Sequence, residues 1–161
     1  MTGRCAGGMA SDRATAIPKA ALMLGWLGVT PFAGFAMAIA AGWPLAATTG
    51  LRSLVFYGAV ILSFMGGVQW GLALRPAADR ANLSSRLVIS VLPAIVAWAS
   101  VALLPMLAAT SVLATAFALL LVHDIATVRR GLAPPWYTHL RAPLTAVVIV
   151  CLLIPMAVLV A

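Results

Sequence analysis

The sequence predicts an all-α integral membrane protein, a single bundle of five transmembrane helices. Of its 161 residues, 64% are hydrophobic and only 8% are charged, and the mean hydropathy is +1.12. A soluble globular domain has about 25% charged residues, so this chain has too few charges to cover a surface that faces water. The same composition excludes a disordered chain, because disordered chains are rich in charge and poor in apolar residues.

Five apolar stretches are long enough to cross a bilayer, which takes about 20 residues per helix. Residues 87–122 run for 36 residues without a charge. A single helix of that length would extend over about 54 Å, which is too long for one crossing, so we predict a helical hairpin there. The predicted spans are residues 20–41, 53–74, 87–107, 111–128 and 142–161, preceded by a polar N-terminal tail at residues 1–19.

The turn of the hairpin is predicted near residues 108–111, because Pro105 precedes it and Thr110 or Ser111 can cap the following helix. The first span has one alternative, a cleaved signal sequence, since residues 36–38 resemble a cleavage site. We favour a retained span, because its 22 apolar residues exceed the core of about 7–15 residues that signal sequences have.

The basic residues predict the orientation of the chain. In a five-span topology nine of the ten Lys and Arg residues lie on one side, and Arg52 lies alone on the other. Cytoplasmic loops carry the excess of Lys and Arg, so we predict a cytoplasmic N-terminus and an external C-terminus. A four-span topology would place the last basic loop on the wrong side. The nine residues are Arg4, Arg13 and Lys19 in the tail, Arg75, Arg80 and Arg86 between spans two and three, and Arg129, Arg130 and Arg141 between spans four and five.

The net charge of +7 would suggest nucleic acid in a soluble protein. In a membrane protein it is better explained by orientation and by contact with anionic lipid head groups. The expected partner is therefore the lipid bilayer, and we expect no role for nucleic acid. Another membrane protein or a second copy of this chain is a further possible partner.

Small residues recur every fourth position along the second span. Such a stripe lets a second backbone approach closely within a membrane. It is typical of ordinary packing inside the chain, which we favour, and also of a tight contact with a partner protein. The stripe consists of Ala59, Ser63, Gly67 and Gly71, and Gly58 and Gly66 widen it.

Three polar residues within the spans lie at similar depth, toward the basic side: Gln69, His123 and Asp124. Polar groups in the membrane are costly, so each needs a structural or functional reason. They can meet if spans two and four are neighbours. Asp124 has valine four residues later, so we expect its partner to be an arginine from another helix. The candidates are Arg75, Arg86 and Arg141.

Two interpretations of this polar group stay open. A paired Asp124 can hold the helix ends together, or the group can form a small site for a head group, a cofactor or a proton. His123 has no second ligand at helical spacing, so we expect no metal there. An arginine partner without a cavity would favour architecture, and an open pocket would favour binding.

No catalytic motif is visible in the sequence. It contains no Glu, and it has no GxSxG, phosphate loop or HExxH motif. We therefore lean towards a non-enzymatic membrane scaffold or assembly partner, with no assigned cofactor. The alternative is a small-molecule binder or transporter that uses the polar group in the inner leaflet. An enzyme that acts on lipid or quinone head groups is the least favoured.

Residues 57–71, which include Tyr57 and Trp70, resemble the core motif of an uncharacterised membrane-protein family. This family is a domain of unknown function that includes transmembrane protein 69. The Pro31 motif at residues 28–32 agrees with it, as do Asp124, Trp136-Tyr137, Leu140-Arg141 and Leu144-Thr145. The resemblance covers about residues 18–155 and implies a multi-pass protein of bacterial inner membranes or mitochondria, without an established activity. We expect the bacterial inner membrane. Gln69 stands where the resemblance implies a histidine in many relatives.

Overall fold

Five long helices make up the fold in the computed structural model, which describes residues 16–75 and 82–159. Each helix is long and apolar enough to cross a membrane, and these residues contain no strand, so the predicted all-α five-span architecture is confirmed. Most of the predicted tail, the loop position Arg80 and the last two residues lie outside the described residues. The helices are α1 (Lys19–Ala40), α2 (Leu51–Ala73), α3 (Leu83–Leu103), α4 (Met106–Arg129) and α5 (Trp136–Leu159).

Two helices end at a glycine with positive φ, a conformation that side chains with a Cβ rarely adopt. After α1, Gly42 has a φ of 68° and donates its N–H to the Ile39 carbonyl. After α4, Gly131 has a φ of 72°, and the next N–H returns to the Thr127 carbonyl at 3.1 Å. A π-helical turn, Ala46–Gly50, then leads from the first of these turns into α2.

The turn between α3 and α4 lies at Leu104 and Pro105, so the prediction of a turn at residues 108–111 is wrong. Leu104 has an extended conformation, with a ψ of 152°, because a residue before proline avoids the helical region. The helix restarts immediately after Pro105. Thr110 lies inside α4, where its hydroxyl donates to the Leu107 carbonyl at 2.7 Å instead of capping a helix.

The last helix also begins earlier than predicted, at Trp136 instead of residue 142. The sequence predicts Arg141 in a loop, since a charge normally ends a membrane span. In the structure Arg141 is a buried residue of α5. The reason is its ion pair, described below.

Helix α2 is the centre of the bundle, because it contacts all four other helices. Its most extensive partner is α3, while α5 packs mainly on α4 and α1. The Tyr57 hydroxyl of α2 donates to the Gly28 carbonyl of α1 at 2.9 Å. Phe32 stacks edge-on against Tyr57, with ring centroids 4.9 Å apart. These contacts join the middle of α1 to the first third of α2.

The outer surface of the bundle is apolar, as a lipid-facing surface should be. Large side chains such as Trp98 and Val60 are more than 60% exposed. The described residues Arg75, Arg86, Arg129 and Arg130 lie at helix ends on one side of the bundle, which we call the basic end.

Candidate functional site

A buried polar group joins α2, α4 and α5. Its centre is Asp124 of α4, which is 0% exposed. Gln69 of α2 donates its amide N–H to the Oδ1 atom of Asp124. The Nε atom of Arg141, from α5, donates to Oδ2 at 2.9 Å and forms an ion pair. We call these three residues the Asp124 cluster.

The hydrogen bonds of the Asp124 cluster connect three helices of the bundle. Both carboxylate oxygens have a partner, and the charges of Asp124 and Arg141 cancel, so the cluster has no formal net charge. A lone charge in the membrane is costly, whereas a paired and hydrogen-bonded one is tolerated. The cluster therefore fixes α2, α4 and α5 against each other on the basic side of the bundle.

The other residues predicted for this polar group lie outside it. The His123 imidazole makes no hydrogen bond within the described residues, although His123 precedes Asp124 in α4. Arg75 is exposed at the end of α2. Arg86 instead donates from Nη2 to the Leu72 carbonyl at 3.3 Å. Within the described residues, no group of three or more His, Cys, Asp or Glu side chains is placed to hold a metal ion.

Close helix packing on α2 involves Gly58 and Gly66, the two glycines that widen the predicted stripe, and not Gly67 and Gly71. A Cβ atom added to Gly66 would lie 2.6 Å from the backbone oxygen of Ser90 in α3, and one at Gly58 would lie 3.3 Å from Leu113. Gly67 and Gly71 are exposed, and a Cβ atom at either would meet nothing within 4 Å. Ala59 and Ser63 are half-buried, and the Ser63 hydroxyl donates to the Ala59 carbonyl at 2.8 Å.

A cavity of about 360 Å³ lies between α1, α2 and α5, on the basic side of the bond between Tyr57 and Gly28. Its walls are mostly apolar. Leu24 of α1 and Phe64 of α2 line it and are 68% and 63% exposed, so it opens between these two helices towards the lipid. The volume falls in the range of about 300–1,000 Å³ that small-molecule sites occupy.

One wall of the cavity has polar groups without partners. Arg141 and Thr145 of α5 both line it, and both are more than nine-tenths buried. The Nη2 atom of Arg141 and the hydroxyl of Thr145 are buried with no hydrogen bond. Buried polar groups are normally satisfied, so these two require an explanation. In the described chain, Arg86 Nη1 and Thr138 Oγ1 are the other buried side-chain atoms in this state.

Thr145 lacks the local hydrogen bond that many hydroxyls in these helices make. Among the described residues, seven Ser and Thr side chains donate to a carbonyl three or four residues earlier in their own helix. That local bond is the usual way to satisfy a hydroxyl inside a membrane helix. Thr145 is 1% exposed and does not make it. Its hydroxyl is therefore an unused donor within a residue that lines the cavity.

The sequence predicts Arg141 as a site residue but indicates neither Thr145 nor the cavity as a site. The one signal for Thr145 was its position in the family-like pattern beside Leu144. Of the other motif residues, Trp136 and Tyr137 line the cavity, and Tyr57 donates to the carbonyl of Gly28, which lines it. Two further motif residues lie apart from the cavity lining: Pro31 is half-buried in α1 and Trp70 is exposed.

Comparison with known proteins supports the membership that the motif suggested. The model of the family described as "Protein of unknown function (DUF3429)" matches residues 17–157. Transmembrane protein 69 of Xenopus tropicalis is 34% identical over 143 residues, which cover 82% of this chain and 51% of that protein. The chain thus spans about half the length of this relative. No solved structure matches it. The chain belongs to the DUF3429 family of membrane proteins, whose biochemical function is unknown.

Proposed function

We propose that the protein binds a small amphipathic molecule that reaches the cavity from the membrane. The observation that supports this most directly is the cavity itself, an apolar space with two unpartnered polar groups on one wall. Ligand sites combine an apolar lining with a few polar groups that orient the ligand. The opening between Leu24 and Phe64 suits a molecule that partitions into lipid.

The architectural interpretation and the binding interpretation of Asp124 are compatible in this proposal. Asp124 does not line the cavity, whereas its partner Arg141 does. Asp124 and Gln69 hold the arginine in place, and its Nη2 donor remains without a partner in the wall of the cavity. The proposal therefore gives the Asp124 cluster a positioning role for Arg141.

A cavity-filling variant tests the proposal. Gly28 lines the cavity, and a Cβ atom added there meets nothing within 4 Å, so the side chain of Gly28→Leu begins in open space and should reduce the cavity volume. We expect it to weaken saturable labelling by a medium-chain alkyl diazirine probe by about tenfold or more, as misfits in apolar pockets do. Labelled peptides from the purified protein in nanodiscs are identified by mass spectrometry.

The matched control is Gly34→Leu. Gly34 lies in the same helix, is exposed, does not line the cavity and also has nothing within 4 Å of an added Cβ. It should label as the parent protein does. Equal labelling of Gly28→Leu and Gly34→Leu, or labelling that does not saturate, would contradict the proposal.

We propose as a second candidate function that the outer face of α2 associates with another membrane protein or a second copy. Gly67 and Gly71 are exposed with open space above them, so packing inside the described chain does not account for them. Small residues on a lipid-facing surface allow close approach of a partner helix. We expect Gly67→Leu and Gly71→Leu to reduce cross-linking to a partner in native membranes, and Gly34→Leu to leave it unchanged. Unchanged cross-linking in both α2 variants would count against this function.

We propose that the protein lies in a bacterial inner membrane and that its basic end faces the cytoplasm. The N-terminus is then cytoplasmic and the C-terminus lies on the external side. The support is the excess of arginine at that end, which the positive-inside rule places on the cytoplasmic side. Cysteines introduced at Arg130 and at Trp43 report on opposite ends. In intact cells an impermeant thiol reagent should modify the Trp43→Cys variant and spare the Arg130→Cys variant. The reverse pattern would invert the topology.

A further inference from the structure

We infer that the cavity selects a molecule with a neutral carbonyl group, held by the Arg141 guanidinium and the Thr145 hydroxyl. This inference rests on the proposed function, because it specifies which head group the cavity takes. It follows from the donors that line the cavity, from the charge balance of the Asp124 cluster and from the apolar character of the remaining walls.

The polar wall of the cavity needs a hydrogen-bond acceptor. A guanidinium group has five N–H donors and no acceptor. The Nε donor of Arg141 is used by Asp124, while Nη2 has no partner. The hydroxyl of Thr145, one helical turn further along α5, also lacks an acceptor. A carbonyl oxygen has two lone pairs and can accept from both groups.

The charge balance favours a neutral acceptor over an anion. Asp124 already neutralises Arg141, and Gln69 has no charge, so an added carboxylate or phosphate would leave the buried group with a net negative charge. An uncompensated charge in an apolar environment is strongly unfavourable. An ammonium group would bring a second positive charge beside the Arg141 guanidinium, which cannot accept its hydrogens, so that only the Thr145 hydroxyl oxygen could accept one. A neutral carbonyl avoids both penalties and satisfies the two unpartnered groups.

Two classes of membrane molecule supply such a carbonyl beside an apolar chain: a quinone and an ester lipid. Both place a neutral acceptor at one end of a body that suits the apolar walls. The cavity recognises the carbonyl oxygen that both classes share. The competition experiment below distinguishes a quinone from an ester.

The test compares three diazirine probes with the same alkyl chain and different head groups: a methyl ketone, a carboxylate and an ammonium. We expect the ketone probe to saturate the parent protein at the lowest concentration. Thr145→Val removes the hydroxyl and nearly preserves the shape of the side chain. It should weaken binding of the ketone probe by roughly three- to tenfold, as the loss of one hydrogen bond does. It should leave the other two probes nearly unchanged.

Thr110→Val is the matched control, because Thr110 is also fully buried but bonds within α4 and does not line the cavity. It should leave all three probes unaffected. Unlabelled alkyl benzoquinone and fatty-acid methyl ester then compete with the ketone probe. Competition by one of them identifies the source of the carbonyl, and competition by neither overturns the inference.

The failure of this inference differs from the failure of the proposed function. Tighter labelling by the carboxylate, equal labelling by all three probes, or no effect of Thr145→Val would overturn the carbonyl assignment. In each of these cases labelling that saturates and is lost in Gly28→Leu would still support a binding function. If no probe labels saturably, the proposed function itself fails.

Discussion

Replacing Asp124 with asparagine should lower the free energy of unfolding by about 3–5 kcal/mol, the range seen when one partner of a buried ion pair is removed. Asparagine keeps the shape and can still bond to Gln69, but it leaves the buried guanidinium of Arg141 without a counter-charge. Arg141→Gln should have a comparable effect, because it leaves the Asp124 carboxylate uncompensated. Denaturant titration in detergent micelles, followed by tryptophan fluorescence, measures both changes.

The double variant Asp124→Asn with Arg141→Gln separates the pairing from other effects. It leaves no buried charge, so we expect it to be more stable than either single variant. Arg129→Gln removes an exposed arginine near the same end and should change stability by no more than about 0.5 kcal/mol. Additive losses in the double variant would show that the two side chains do not depend on each other.

The second large effect is expected at Gly66. The Cβ atom of Gly66→Ala would lie 2.6 Å from the Ser90 carbonyl oxygen, which is backbone and cannot rotate away. Helices α2 and α3 would have to separate, and overpacking of this kind costs about 1–3 kcal/mol. The expected result is a lower free energy of unfolding in the same denaturant titration.

The adjacent glycine supplies the control. Gly67→Ala introduces the same methyl group one residue later in the same helix, where nothing lies within 4 Å. Alanine favours a helix over glycine by about 1 kcal/mol, so this variant should be as stable as the parent or more stable. If both variants changed stability equally, the close contact between α2 and α3 would not be what constrains Gly66.

The five helices could be predicted from the sequence because their apolar runs are long and the loops after α2 and α4 contain charged residues. The positions of the turn between α3 and α4 and of the start of α5 were predicted wrongly. In both places a single residue affects the structure more than the average hydropathy does. Pro105 fixes the conformation of the residue before it, and this sets the turn between α3 and α4 more strongly than the capping capacity of Thr110. A local conformational restriction therefore decides where a long apolar run folds back.

Arg141 was expected in a loop for a related reason. Hydropathy assigns a cost to each charge separately, so an arginine marks the end of a span. In the structure its charge is balanced by Asp124, which is 17 residues away in sequence and in another helix. The sequence does reveal that Asp124 needs an arginine, but not which one, because that depends on how α4 and α5 pack.

The face of α2 that packs could not be chosen from the sequence either. Small residues occur on two adjacent faces, and the apolar residues surround the helix, so periodicity favours neither. The contact with α3 selects Gly66. The cavity was equally hidden, since Leu24 and Phe64 resemble ordinary lipid-facing residues until α1 and α2 are placed side by side.

The order in which the chain is made gives the Asp124 cluster a consequence for biogenesis. Synthesis runs from the N-terminus, so Gln69 and Asp124 emerge from the ribosome before Arg141 does. In a nascent chain that ends within the loop after α4, the Asp124 carboxylate therefore still lacks its counter-ion, Arg141. When α5 is added, Arg141 neutralises Asp124. We therefore expect the ion pair between α4 and α5 to form last and to complete the packing of the bundle.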